Sequence, residues 1–414
     1  MQNKKNYPWL VVALLWIVAL LNYLDRQMLS TMKNAMMVDI TELQLAENFG
    51  ILMSVFLYIY AFMSPVAGTI ADRINRKWLI VGSLFVWSAV TYGMGMATTY
   101  NQLLVLRSLM GVSEALYIPA ALSMIADYHT DKTRSLAVGI HMTGLYMGQA
   151  LGGFGATVAD RFGWHATFHW FGIVGMVYAV ILIVLLHDKK REPMLPQTAG
   201  MARGTKKNSI PFLKGLGMLF GNIAFWVILF NFAAPSLPGW ATKNWLPTLF
   251  SESLNLPMAK AGPMATITIS ISSFIGVMIG GPLSDRWVQK NLRGRIYTGA
   301  IGLSLMVPSL ILMGTASSMI PVISSALLFG VGYGMFDTNN MPILCQFVPS
   351  RLRATAYGFM NMIGVFAGAA VTQVLGRITD DGNLGFGFAV LAVVVLLALA
   401  MQLIFLRPKV QNME

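Results

Sequence analysis

The chain has 414 residues, of which 56% are hydrophobic and only 11% charged, with a formal net charge of +12. A water-facing protein of this length needs far more charge, and the apolar residues come in blocks such as Trp9 to Leu21 and Phe386 to Leu406, close to the ~20 residues that span a bilayer as helix. The single cysteine, Cys345, excludes an internal disulfide framework and a cysteine-based metal cluster.

Apolar runs bounded by charge or by Pro and Gly clusters predict an all-α membrane protein with twelve transmembrane helices. They fall at 8–31, 47–70, 78–97, 101–127, 133–158, 165–187, 216–247, 261–283, 296–315, 319–342, 353–374 and 384–407. The first run follows Lys4 and Lys5 and carries Asp25 and Arg26 near its end, so it reads as a retained span rather than a cleaved signal. The longest polar interval, His187 to Lys214, holds seven basic residues. It predicts two pseudo-symmetric six-helix bundles, 1–187 and 215–414, joined by a linker at 188–214. With both termini and the linker cytoplasmic, 22 basic residues lie inside against about five outside. That asymmetry is a positive-inside pattern and accounts for most of the basic excess without nucleic acid.

The loop after the second span reads GTIADRINRK (68–77) and that after the eighth GPLSDRWVQK (281–290), with Gly, Asp-Arg and Lys at the same offsets, 213 residues apart. Such an internal repeat marks a duplicated architecture. Gly68 and Gly281 allow close helix approach, and Asp72, Arg73, Asp285 and Arg286 are candidate gating residues at a cytoplasmic seam. The paired loops resemble those of the major facilitator superfamily, over essentially the whole chain. The resemblance implies a secondary transporter working by alternating access.

In the fourth span, Arg107, Gly111 and Glu114 are spaced by four and three residues, and seven helical residues turn about 700°, so Arg107 and Glu114 share a face. The run GLYMGQALGG (144–153) in the fifth span allows backbone-to-backbone packing. It is similar to a superfamily motif of antiporters, but Gln149 stands where that motif has Pro, so antiport is not inferred. The segments LNYLDRQMLS (21–30) and NWLPTLF (244–250), with Arg107 and Glu114, resemble the anion:cation symporter family, which includes bacterial sugar-acid transporters, vesicular glutamate transporters and sialin. The Asp-Arg pair and the Arg/Glu spacing are also similar to spinster-type lipid transporters.

Ionised groups inside a membrane are costly and usually face a cavity. The candidates are Asp25, Arg26, Arg107, Glu114 and Asp337, with His141 as a polar companion. Arg26 is the expected main contact of a carboxylate substrate, because guanidinium stays charged and offers two parallel donors. Arg107 is a second contact, and Asp25 and Glu114 are the expected proton carriers. An anion that engages an arginine deprives the neighbouring carboxylate of its partner and favours proton uptake, which couples the two bindings. Tyr58, Tyr117, Tyr146 and Gln149 are candidates for hydroxyl and amide contacts. Tyr333, Asp337 and Asn340 share a face of the tenth span, where the extra carboxylate also suits a cation or sugar hydroxyls. Lys243 and Asn244 read as an outer mouth or as a snorkelling lysine.

No nucleotide loop, nucleophile with its base, or metal-ligand set is present, and His165 and His169 lack a third ligand; no enzymatic activity and no cofactor is expected. The expected partners are a small organic anion such as a hexuronate, aldonate or sialic acid, a proton with sodium as the alternative, and the bilayer of a cell membrane around a monomer. A neutral-sugar or drug carrier, a lipid transporter and a ligand sensor are the competing functions.

Overall fold

Backbone polar groups find no water in a bilayer core, so a chain this apolar spans it as helices or a closed barrel. The computed structural model describes residues 6–130, 133–188, 212–349 and 352–408, and within these leaves aside the side chains of 68, 69, 71–73, 135, 212–215 and 354. Every regular element among the described residues is helical. The N-terminal half runs α1 (Tyr7–Leu29), α2 (Lys33–Met36), a 3-10 turn (Thr41–Gln44), α3 (Ala46–Arg73), α4 (Arg76–Met94), α5 (Tyr100–Ala115), α6 (Tyr117–Tyr128), α7 (Arg134–Gly152), α8 (Gly155–Phe162) and α9 (Trp164–Leu185). The C-terminal half runs α10 (Phe212–Phe220), α11 (Ile223–Leu254), α12 (Met258–Val288), α13 (Gly294–Thr315), α14 (Met319–Asp337), α15 (Asn340–Phe347), α16 (Arg353–Asp380) and α17 (Leu384–Phe405).

Ten of these stretches are long and apolar enough to cross a membrane, counting α5 with α6 and α14 with α15 as one each. The third and fifth expected spans correspond to α4 and α7, helices of 19 residues each. The seventh span differs from expectation: it starts at Ile223, not 216, and runs to Leu254. Asn222 accepts a hydrogen bond from the Ala224 N–H at 3.0 Å and so caps a new helix after α10. Of the linker expected at 188–214, residues 189–211 lie outside the described residues, and its end overlaps α10.

Packing follows the small residues. Gly144, Gly148 and Gly152 sit four apart on α7, where a Cβ would strike the carbonyl oxygens of Trp16, Leu20 and Leu24 on α1. This is the backbone-to-backbone contact that the 144–153 run predicts. Elsewhere α4 packs on α9 and α5, α12 on α14, and α13 on α14 and α17. Ile173, Val174, Val177, Val180, Ile181 and Val184 of α9, and Val390, Val393, Leu396, Leu397 and Ile404 of α17, are exposed at helical spacing, as a lipid-facing surface requires.

Between the halves, α3 lies along α16, and α12 against α7 and α8. Polar contacts gather at the end where α1 and α11 finish and α3 begins. There Asp380 accepts from the N–H groups of Ala46 at 2.6 Å and Glu47 at 2.8 Å, and Arg377 meets Glu47 at 2.5 Å. At the same end, Thr157 donates to the Ala259 carbonyl and Thr266 to that of Ala150, each at 2.9 Å. Two further contacts cross between the halves: Gln27 Nε2 of α1 donates to the Lys243 carbonyl of α11 at 2.7 Å, and Asn361 Nδ2 to Ser64 Oγ at 3.2 Å further along α3 and α16. At the opposite end Arg76 pairs with Asp127, and Asp285 with Arg295 at 3.6 Å, each within its own half.

Candidate substrate cavity

Arg26 and Asn22 stand one turn apart on α1, so both reach the same neighbour. Asn22 Nδ2 at 2.9 Å and Arg26 Nε at 2.5 Å donate to one oxygen, Oε2, of Glu114 on α5. The Glu114 side chain is fully buried and that of Arg26 is 10% exposed. The Arg26 guanidinium lies 5.1, 4.8 and 4.7 Å from the ring centroids of Tyr23, Phe56 and Tyr60. Arg107, also buried, lies 4.7 Å from the same Phe56 ring, and its Nη1 reaches Met110 Sδ at 3.2 Å.

Four polar atoms of this cluster are buried without a hydrogen-bond partner in the protein: Arg26 Nη2, Arg107 Nε, Glu114 Oε1 and Asn22 Oδ1. Two guanidinium donors without a protein partner beside one aromatic ring have the hydrogen-bonding capacity to hold a carboxylate. Such atoms are expensive to leave unmet in a low-dielectric interior unless a ligand meets them.

The partners within the cluster differ from those that spacing alone suggested. Arg107 and Glu114 do share a face of α5, but the ion pair of Glu114 is with Arg26. Asp25 does not pair with its neighbour Arg26; it turns to α4, where Thr91 Oγ1 donates to it at 3.2 Å, and interacts electrostatically with Arg107 and Glu114. Adjacent helical residues diverge by about 100°, which separates the two.

Across from this cluster stands Asp337, the last residue of α14. It is exposed, yet it interacts electrostatically with Lys243, Tyr23, Tyr146, Tyr333 and Tyr357, residues of both halves, which places it between them. Asn340 Nδ2 donates to it at 3.3 Å. Lys243 is not at an outer mouth. Because α11 continues to Leu254, Lys243 lies eleven residues, about 16 Å, inside the helix end. Its Nζ sits 4.5 Å from the Trp240 ring and 5.9 Å from Tyr333, and it interacts with Asp337 and Arg26.

The remaining candidates divide. Tyr146, whose ring is 6.2 Å from Phe274, looks across to the other half on the Asp337 side, and Gln149 is buried one turn further along α7. Tyr58 packs on Phe366 at 5.8 Å in the α3–α16 seam. Tyr117 lies in the core of the N-terminal half, where its hydroxyl donates to the Leu15 carbonyl at 2.8 Å and its ring faces Trp87 and His141. The side chains of Asp72 and Arg73 lie outside the described residues, and Asp285 and Arg286 lie on the last turn of α12.

Sequence reasoning missed Tyr23, Tyr60 and Tyr357, and it missed two helix breaks. The expected fourth and tenth spans are each interrupted, at Leu116 and at Thr338–Asn339. Pro119 and Pro342 stand at the third position of α6 and α15 and cannot donate to the carbonyls four residues back. The signal was present: GVSEALYIP (111–119) and GMFDTNNMP (334–342) share Gly, an acid three residues on and Pro five residues after that.

Residues 15–372 match the model of the Major Facilitator Superfamily. The chain belongs to this superfamily. It is 25% identical to the hexuronate transporter of Bacillus subtilis (strain 168) over 406 residues, covering 95% of this chain and 92% of that one. To the D-galactonate transporter of Escherichia coli O6:H1 it is 24% identical, covering 92% and 90%. In structure it is similar to a bacterial homolog of the human lysosomal transporter spinster in an inward-facing, occupied conformation, with a TM-score of 0.80, 18% identity and 98% of both chains covered. These relatives are transporters, not enzymes, and this superfamily member is a multi-pass membrane protein related to sugar-acid transporters.

Proposed function

We propose that this superfamily member is a proton-coupled symporter of a small organic anion, a sugar acid such as a hexuronate, aldonate or sialic acid. The observation that carries this reading is the pair of buried guanidinium groups, Arg26 and Arg107, each with an unmet N–H beside Phe56. The similarity to hexuronate and D-galactonate transporters points the same way.

In this scheme the carboxylate of the substrate binds Arg26 and Arg107 and draws Arg26 away from Glu114. Glu114, buried and losing its cation, takes a proton, and Asp25 passes protons along the Thr91 side. Charge counting supports the coupling. The cavity holds three acids, Asp25, Glu114 and Asp337, and three bases, Arg26, Arg107 and Lys243. A monoanion unbalances that set by one, and one proton restores it, so the empty and the doubly loaded carrier are both balanced and reorient cheaply, while the carrier loaded with the anion alone is not.

Twelve spans in two six-helix bundles, 1–187 and 215–414, then rock about the cavity, with both termini cytoplasmic in a cell membrane and the monomer as the working unit. The contacts of Asp380 and Arg377 with α3 close the outer side, and Asp72, Arg73, Asp285 and Arg286 gate the inner one.

Purified protein in liposomes would be screened with hexuronates, aldonates, sialic acid and neutral sugars, with and without an inward proton gradient. Proton-stimulated carboxylate uptake is expected, reduced about 100-fold in Arg26→Ala, the loss of two charge-assisted hydrogen bonds. Uptake of neutral sugars or lipid alone, or carboxylate uptake untouched in Arg26→Ala, would sink the anion site.

A further inference from the structure

The motif shared by 111–119 and 334–342 duplicates more than a helix break. Gly111 lets α5 approach α3, where a Cβ would come within 2.8 Å of the Phe56 carbonyl oxygen. Gly334 lets α14 approach α12 in the same way, against the Ser273 carbonyl. Each glycine is followed by the cavity carboxylate, Glu114 or Asp337, at the end of a half-helix. Each carboxylate interacts with a cation on the first long helix of its half, Glu114 with Arg26 on α1 as an ion pair and Asp337 with Lys243 on α11 electrostatically. The two halves thus carry the same module.

The modules are in different states. Arg26 and Glu114 are closed at 2.5 Å. Among the described residues no ion pair within 4.0 Å joins Lys243 to Asp337: the ammonium rests on the Trp240 and Tyr333 rings, and the single hydrogen bond of Asp337 is the 3.3 Å contact from Asn340. A carboxylate has about four acceptor sites and an ammonium three donors, so most of both capacities is unused.

We infer that Lys243 and Asp337 form a second, opened charge module that binds the hydroxyl-bearing end of the substrate and selects polyhydroxylated acids over plain carboxylates. This rests on the proposed anion site at Arg26, which holds the other end. The charges of the open module cancel, so an added ion of either sign would go uncompensated, whereas a polyol meets both groups. Its O–H groups donate to Asp337 and its oxygens accept from Lys243. The tyrosines around Asp337, Tyr23, Tyr146, Tyr333 and Tyr357, add hydroxyls and ring faces for the carbon chain. A bare alkyl or aryl carboxylate fills the arginine site but leaves both groups unmet, which is the situation in which polar sites discriminate most strongly.

The test measures competition in proteoliposomes between radiolabelled galactonate and either unlabelled galactonate or hexanoate, for wild type, Asp337→Asn and Lys243→Gln. Each substitution is expected to weaken galactonate at least ~10-fold while hexanoate inhibition stays within about twofold, collapsing the selectivity. Equal weakening of both ligands, or unchanged selectivity, overturns the inference and leaves the arginine site standing. Sodium-stimulated binding that disappears in Asp337→Asn would assign the carboxylate to a cation and overturn it too. Wild-type protein that binds no carboxylate at all removes the arginine reading, and this one with it. Should Asp337→Asn fail to fold, Tyr357→Phe, which deletes one hydroxyl, reads the same ratio in the same direction.

Discussion

Glu114 holds Arg26 by a single oxygen, and in the proposed scheme the substrate carboxylate replaces that one-sided grip. Substituting Glu114→Gln keeps the shape and removes the charge and the proposed proton site. The expected result is loss of accumulation against a gradient with exchange of substrate across the membrane retained, measured by counterflow. Accumulation that keeps its full dependence on the proton gradient would remove Glu114 from the coupling scheme. The same logic gives a stability outcome: Arg26→Ala leaves a fully buried carboxylate without its cation, a change that costs about 3–5 kcal/mol in buried pairs. A lowered thermal midpoint of the purified protein, partly recovered in the Arg26→Ala, Glu114→Gln double variant, is the expected reading. The candidates Arg26, Arg107, Glu114 and Asp25 were legible in the sequence because charge in an apolar run is conspicuous. Their partners were not: Asp25 and Arg26 adjoin in the chain and point to different helices, and Tyr117, as polar as Tyr146, spends its hydroxyl on the Leu15 carbonyl.

Helix extents followed from apolar run length, and most predicted spans begin or end within a few residues of a helix. Interruptions were harder, since α5 and α6, or α14 and α15, read as one apolar run. Only Pro119 and Pro342 separate them, and prolines also occur inside unbroken helices here, as Pro247 does in α11. Replacing Pro342→Ala restores a donor to α15 and one backbone hydrogen bond, worth about 1 kcal/mol. Thermal stability is expected to rise slightly while uptake falls, because Asp337 would swing out of register with Lys243; unchanged uptake would show that the break does not position it. The α1–α7 contact makes the opposite prediction. Gly148→Leu would push a side chain into the Leu20 carbonyl, and the folded yield in detergent is expected to collapse, as judged by size-exclusion chromatography.

For the whole molecule the decisive feature is the contact between α16 and the start of α3, the outer lock of the proposed orientation. Asp380 of α16 caps the first two N–H groups of α3, a contact between opposite ends of the chain that adds to Arg377–Glu47. Lys33 sits close by; burial lowers its pKa, while Asp380 and Glu252 pull it back up. Removing the cap with Asp380→Ala costs the closed-outside state about 1 kcal/mol, a shift of about fivefold in its population. In a Cys345→Ser background, Ser30→Cys at this sealed end should then react about fivefold faster with an impermeant maleimide. An unchanged rate would mean that Asp380 does not hold the outer side shut.

By itself the sequence determined that the chain is a helical membrane protein, where its long helices run, that its loops are duplicated, and which charges lie within its apolar runs. Apart from the loop repeat, which is read directly in the sequence, those are properties of composition and of local period, and solvation fixes them. Tertiary structure decided which charges meet: that Glu114 takes Arg26, that Lys243 faces inward to an unpaired Asp337, and that Asp380 reaches α3 across more than three hundred residues. Pairing depends on helix rotation and on close approach at glycines, and residues far apart in the chain set both.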